Sequence, residues 1–247
     1  MQVTGATVAT YDDRTHQYVF RGPQVVVTRG ADRLEAPEVL YNAAREQVVL
    51  PQRGRVSTPT LVVEADRIAA DLAARHLVAD GDVVARLLER GRWAVLTAAR
   101  VEADDRPGAR RAVAQGAVRL VRGDEELTGS RVAYDLEARR AVVEGRAVLV
   151  RGGDRLEADS VLADLGRRVA EARGHVTVVV PEQGLRATAE RALYDEQARS
   201  ATLTGHVTLW RGRDVLTAER VTLLLREHLV RAEGNPELTV AAQEAAP

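Results

Sequence analysis

The chain has 247 residues, with 35 basic side chains against 36 acidic ones, no cysteine and only 3% aromatics. A formal net charge of −1 excludes a global field that would gather nucleic acid or an anionic membrane, and no nucleic-acid partner is expected. The missing cysteines exclude disulfides and thiolate chemistry, the scarce aromatics leave base-stacking and sugar-stacking sites poorly supplied, and no apolar run approaches the roughly 18 residues of a membrane-crossing helix.

The opening residues, MQVTGATV, have neither the basic nor the apolar stretch of a secretory signal. By themselves they leave a cytosolic chain and a mature envelope protein both open. From there the chain repeats itself. A glycine among alternating apolar residues occurs at Gly22, Gly54, Gly81, Gly116, Gly145, Gly174, Gly205 and Gly234, at intervals of about 30 residues. A second pattern keeps the same phase. It reads LEAPEV from Leu34, VEADRI from Val63, LTAARV from Leu96 and LTGSRV from Leu127, then LEADSV from Leu156, ATAERA from Ala187 and LTAERV from Leu216. Residues 110–240 are regular, and residues 1–109 are the same unit, more decayed.

The periodicity inside a unit is that of strands. Around Gly145, the residues Ala141, Val143, Ala147 and Leu149 share one parity, while Glu144 and Arg146 hold the other. Alternation of this kind marks a half-buried strand, and a mid-strand glycine marks a bulge or bend. In the second pattern, inward Leu156 and Ala158 give way to Val161 and Ala163, a one-residue slip that a second bulge produces. RGDE at 122–125, RGGD at 151–154 and RGRD at 211–214 read as tight turns, and DLEAR at 135–139 and DEQAR at 195–199 as polar returns. ADRIAADLAARH at 65–76 has a helical look, but its alignment with the strand pattern reads as strand. The expectation is an all-β, elongated antiparallel meander of two-strand units with roughly fourteen to sixteen bent strands. It folds along its midline into two facing sheets with a trough between. A parallel β-helix is the competing solenoid, but it needs no hairpin turns. One continuous domain is expected over 1–240, with a disordered tail at 241–247.

The stretches EGRAVLVRGGDRLEADSVLADL and TGHVTLWRGRDVLTAERVTLLL resemble the OstA-like repeat of the lipopolysaccharide transport family, which includes LptA, LptC and the N-terminal domain of LptD. The resemblance spans residues 7–240. It implies a β-jellyroll, also called a β-taco, whose apolar trough carries acyl chains of lipopolysaccharide or a related envelope lipid. It also implies a periplasmic location, LptC-like and LptD-like partners, and stacking of copies edge to edge. No catalytic residue comes with it.

The residues themselves point away from an enzyme. The four serines, Ser57, Ser130, Ser160 and Ser200, lie in no nucleophile elbow. No phosphate-binding or zinc-protease motif occurs, and no cofactor is expected. Five histidines are scattered at 16, 76, 175, 206 and 228; His175 and His206 share an outward row with one strand between them, and a solvated surface rather than a metal pair is expected. Aspartates such as Asp135, Asp154, Asp159 and Asp164 recur at turns beside arginine, as cross-strand pairing and turn chemistry require. The candidate lipid-facing residues are the inward apolar ones: Val118, Leu120, Leu127, Val132, Ala147, Leu149, Leu156, Val161, Val176, Val178, Val207, Leu209, Leu216 and Val221. Many inward positions are alanine. Small side chains on facing sheets either leave a dry, aliphatic groove or simply let the sheets pack closely. An unclosed meander also has open first and last strands, so homo-oligomers by strand addition are expected, with Pro236 the one evident edge blocker.

Overall fold

The computed structural model describes residues 1–89, 91–224, 226–227 and 229–241; His228 and all but the first residue of the expected tail lie outside them. Twenty strands run in chain order. They are β1 (Gln2–Thr4), β2 (Val8–Asp12), β3 (Gln17–Arg29), β4 (Asp32–Asn42), β5 (Gln47–Leu50), β6 (Gly54–Ser57) and β7 (Leu61–Ala65). Next come β8 (Arg67–Asp71), β9 (His76–Glu89), β10 (Arg92–Asp104), β11 (Arg111–Arg122), β12 (Glu125–Asp135), β13 (Arg140–Arg151) and β14 (Asp154–Asp164). The last are β15 (Val169–Val180), β16 (Leu185–Asp195), β17 (Ser200–Arg211), β18 (Asp214–Leu224), β19 (Leu229–Glu233) and β20 (Glu237–Thr239). Among the described residues the regular structure is otherwise a single 3₁₀ turn at Pro181–Gln183. The stretch with a helical look is β8, a turn and the start of β9.

The chain clusters into two compact units, Met1–Gly123 with Arg131–Glu137, and Asp124–Ser130 with Ala138–Pro247. In the first unit, β1 and β2 pair with the two halves of β3, and β3 pairs with β4. Strand β4 then pairs with β5 through one half and β6 through the other. β5 and β6 pair in turn with β8 and β7, both of which meet β9; β10 and β11 follow. In the second unit β13 through β18 form an unbroken antiparallel series, closed by β19 and β20 on the two halves of β18.

The bend that sequence periodicity implies is, in the regular units, a β-bulge at the repeat glycine. Between β13 and β14, Glu144 pairs with Ser160 and Ala147 with Ala158, so Gly145 and Arg146 together face Asp159 alone. Both bulged residues are left-handed, φ 75° and 54°. Such a conformation is nearly free for glycine and costs an arginine about 1 kcal/mol. The pairs Gly174–His175, Gly205–His206 and Gly234–Asn235 repeat it. The two sequence anchors therefore touch: a Cβ on Gly174 would overlap the Asp159 carboxylate, and one on Gly205 would lie 2.6 Å from Glu190 Oε2. The fourth residue of LEADSV or ATAERA occupies the space that the next glycine leaves open.

The decayed units differ in mechanism. Gly22 and Gly54 are not left-handed. Gly54 instead leaves room for fully buried Leu50, whose Cδ1 a Cβ would approach to 2.7 Å. Here the bend falls in a break between β5 and β6, where Pro51 has no N–H for the ladder. The first unit packs its interior with larger side chains, among them Val25, Val39, Leu50, Ile68 and Val83, each at most 2% exposed.

Candidate functional site

Register places four inward rows in the second unit, two on each side of the bulge line. Next to that line on one half-sheet lie Ala147, Ala158, Val176, Ala189, Val207 and Ala218, all buried. On the other half-sheet Val143, Val161, Ala172, Ala192, Leu203 and Val221 are paired in succession, also buried. Residues buried on both sides of a bend cover one another, so the floor is closed to solvent.

One pair of residues farther from the bend, the rows open. Leu149, Leu156, Val178, Ala187, Leu209, Leu216 and Leu238 pair in sequence across the sheet. Ala187 and Leu209 are buried, Leu156, Val178 and Leu216 are half-buried, and Leu149 is 37% and Leu238 64% exposed. The facing row runs Ala141, Ala163, Ala170, Tyr194, Ala201, Leu223 and Val230, half-buried for the most part, with Tyr194 exposed and Leu223 buried. Leu149, Tyr194 and Leu238 are thus the exposed members of these two rows, and the others are half-buried or buried.

Most of the residues singled out in the sequence fall on these rows. Ala147, Val161, Val176, Val207 and Val221 sit in the buried floor, and Leu149, Leu156, Val178, Leu209 and Leu216 in the wall above it. Leu127 is half-buried on β12. Val118, Leu120 and Val132 belong to the first unit, where Val118 is buried and Val132 packs against the core cluster. Val148, of outward parity, is half-buried while inward Leu149 is exposed, because Leu149 lies near its hairpin tip, beyond the reach of the facing sheet.

Charge stays outside. The outward row over the bend is Glu144, Ser160, Arg173, Arg191, Thr204, Arg220 and Glu233. Glu171 accepts from Arg173, with Nε to Oε1 at 2.9 Å, and also pairs with Arg191. The Arg173 hydrogen bond leads in holding its carboxyl below the usual range. On the bulge line His175 Nδ1 lies 2.8 Å from Asp159 and His206 Nδ1 2.9 Å from Glu190. They stand on β15 and β17 with β16 between, both exposed. The Glu190 hydrogen bond, then its charge and that of Glu219, raise the His206 pKa. Among the described residues no three His, Asp or Glu converge on a metal position. No buried side-chain polar atom there lacks a hydrogen-bond partner, and no helix is long and apolar enough to cross a membrane. The arrangement can hold hydrocarbon; it does not assemble an acid, base and nucleophile.

Sequence reasoning missed one feature. Tyr11, Tyr18 and Tyr41 form an inward row at the start of the first unit, with Phe20 beside them. The ring centroids are 4.4 Å apart for Tyr11–Tyr18 and 6.2 Å for Tyr18–Tyr41. The signal was present, since tyrosine sits two residues past the last apolar position in LEAPEVLY, but low overall aromatic content hid its clustering.

The profile described as LptA/(LptD N-terminal domain) LPS transport protein matches residues 3–165 and 95–228. No curated protein matches the chain. Among solved structures the chain is similar to LptH, the LptA-homologous periplasmic component of the lipopolysaccharide transport device of Pseudomonas aeruginosa. The identity is 18% and the TM-score 0.42, over 49% of this chain and 94% of that one.

Proposed function

Because the chain belongs to the LptA/(LptD N-terminal domain) family of LPS transport proteins, we propose that it is a periplasmic carrier. Its inward aliphatic rows hold the acyl chains of lipopolysaccharide or a related envelope glycolipid on the way to the outer membrane. The observation that carries this reading is Leu149: on the trough face by register with Leu156, yet 37% exposed. The row it opens runs to Leu238 through half-buried Leu156, Val178 and Leu216 and offers hydrocarbon without fixed polar contacts. Each buried methylene contributes about 0.8 kcal/mol, so one acyl chain gains several kcal/mol. Successive strands repeat nearly the same surface, and a guest slides between near-equivalent positions rather than locking into one. That is the chemistry of transport, not of catalysis.

The partners follow from the edges. β2 is exposed along its whole length and β20 likewise, and open strands take up further strands. A second copy, an LptC-like protein upstream and an LptD-like one downstream are the partners proposed.

The floor supports a second reading, a structural β-repeat scaffold without a ligand, since Ala147, Val176 and Val221 are at most 1% exposed, covered by the protein's own side chains. Native mass spectrometry of the purified protein, with photo-crosslinking from position 149, separates the two. The carrier reading expects co-purified lipid and a lipid adduct at 149 but none at outward Thr208. No lipid mass and no adduct at 149 leaves the scaffold.

A further inference from the structure

Composition argues against a sugar site, yet four of the eight aromatic residues gather at one place. Tyr11 is on β2, which among the described residues pairs only with β3, so one face of its ring looks past the last strand. The other face is backed by Tyr18 at 4.4 Å, itself backed by Tyr41 at 6.2 Å and by Phe20 stacked at 6.2 Å with an interplanar angle of 6°. The ring is therefore backed on one side by Tyr18 while 48% of the residue remains exposed. Its hydroxyl donates to Asp13 Oδ1 at 3.3 Å and lies 3.3 Å from His16 Nδ1. Neighbouring Asp12 accepts from the Arg14 N–H at 2.9 Å, whereas Asp13 stands exposed beside the Tyr11 hydroxyl.

A braced aromatic face with a carboxylate, an imidazole and a phenol at its edge is matched to a pyranose: the apolar C–H face lies on the ring and the hydroxyls reach the polar rim. We propose that Tyr11, with Asp13 and His16, is a saccharide subsite that takes a sugar of the glycolipid headgroup. Tyr11 faces the same side as the buried core of its unit, since its row continues through Tyr18 and Tyr41, two residues from fully buried Val39. The headgroup thus comes to rest where the apolar row meets water. This assignment rests on the carrier reading for its ligand, but not for its test.

The probe is a soluble N-acetylglucosamine disaccharide with no acyl chain, titrated into dilute full-length protein and followed by the NMR shifts of the tyrosine ring protons. Saturable shifts at Tyr11 are expected. Tyr11→Ala weakens binding at least tenfold, Tyr11→Phe keeps the stacking and weakens it a few-fold, and Asp13→Asn weakens it comparably. Trp93→Ala, which removes an equally exposed aromatic residue, at 48%, from another strand, leaves it unchanged. Absence of Tyr11 shifts up to tens of millimolar sugar overturns the subsite, as does equal binding by Tyr11→Ala. Co-purified lipid alongside such a failure would leave the carrier reading standing; sugar binding in protein free of lipid would do the reverse.

Discussion

At the scale of single residues, the bulge is where sequence and structure are most tightly tied. Gly174 has φ +74°, and any side chain there meets Asp159. Gly174→Ala should destabilise by about 1–3 kcal/mol, adding backbone strain to a clash. In an Asp159→Ala background the overlap with the carboxylate is gone, leaving the strain and a tight 3.0 Å approach to the Cβ of residue 159, so the double-mutant cycle should show a favourable coupling. Gly123, also left-handed at φ +61° but with nothing within 4 Å, sets the strain-only comparison. Urea midpoints of these variants measure all three. Equal costs at Gly174 and Gly123 would remove the fitted-partner account of the two sequence anchors.

The bulge line also titrates. The Glu190 hydrogen bond raises the His206 pKa above its usual 6.5. A raised histidine contributes stability that is fully present below pH 6.5 and is lost as pH rises through the higher folded value. Glu190→Gln should bring the His206 midpoint down, which an NMR titration of its ring protons reads directly. The pair is exposed on both sides, so the effect on global stability is small. Glu171 runs the other way: its lowered carboxyl contributes above its ordinary 4.5 and loses that contribution as pH falls through the depressed folded value.

At the scale of the strand, one face does two jobs. Leu203 is 1% exposed in the floor, and Leu149 is 37% exposed in the wall. Leu203→Ala should cost about 2–5 kcal/mol through an unfilled cavity. Leu149→Ala should cost less than that, because more than a third of its surface stays in water, while reducing the lipid retained in native mass spectrometry. Equal stability losses would mean that the wall is as packed as the floor. The strands, their parity and their central bends were legible in the alternation around Gly145 and in the slip between Ala158 and Val161, because both are local. What was not legible depends on register or on reach. That the fourth residue of LEADSV faces the next glycine needs the pairing of β14 with β15. The exposure of Leu149 depends on where the opposite sheet stops. The split of β5 from β6 follows from Pro51 in a unit whose glycine has lost its left-handed role.

At the scale of the whole molecule, the two ends of the chain carry matched open edges. β1 and β2 flank left-handed Gly5, φ 73°, and β19 and β20 flank left-handed Gly234, φ 78°. Each edge is thus two short segments hinged at the same kind of residue. Tyr11 and Leu238, at 48% and 64% exposure, end the apolar rows there. Unpaired backbone groups beside exposed apolar side chains are a template for a further strand, and a head-to-tail contact of this kind propagates rather than closing. Sedimentation velocity over rising concentration should show a shift from monomer to larger species. Placing charge on the outward positions of β2, with Val8→Lys and Thr10→Lys together, should suppress that shift while leaving the far-ultraviolet circular dichroism unchanged. The second copy and a sugar would both cover Tyr11, so a saturating saccharide should also move the protein toward monomer, and Tyr11→Ala should make association insensitive to it. A wild-type chain that stays monomeric at all concentrations would mean that these edges serve other partners and not a second copy.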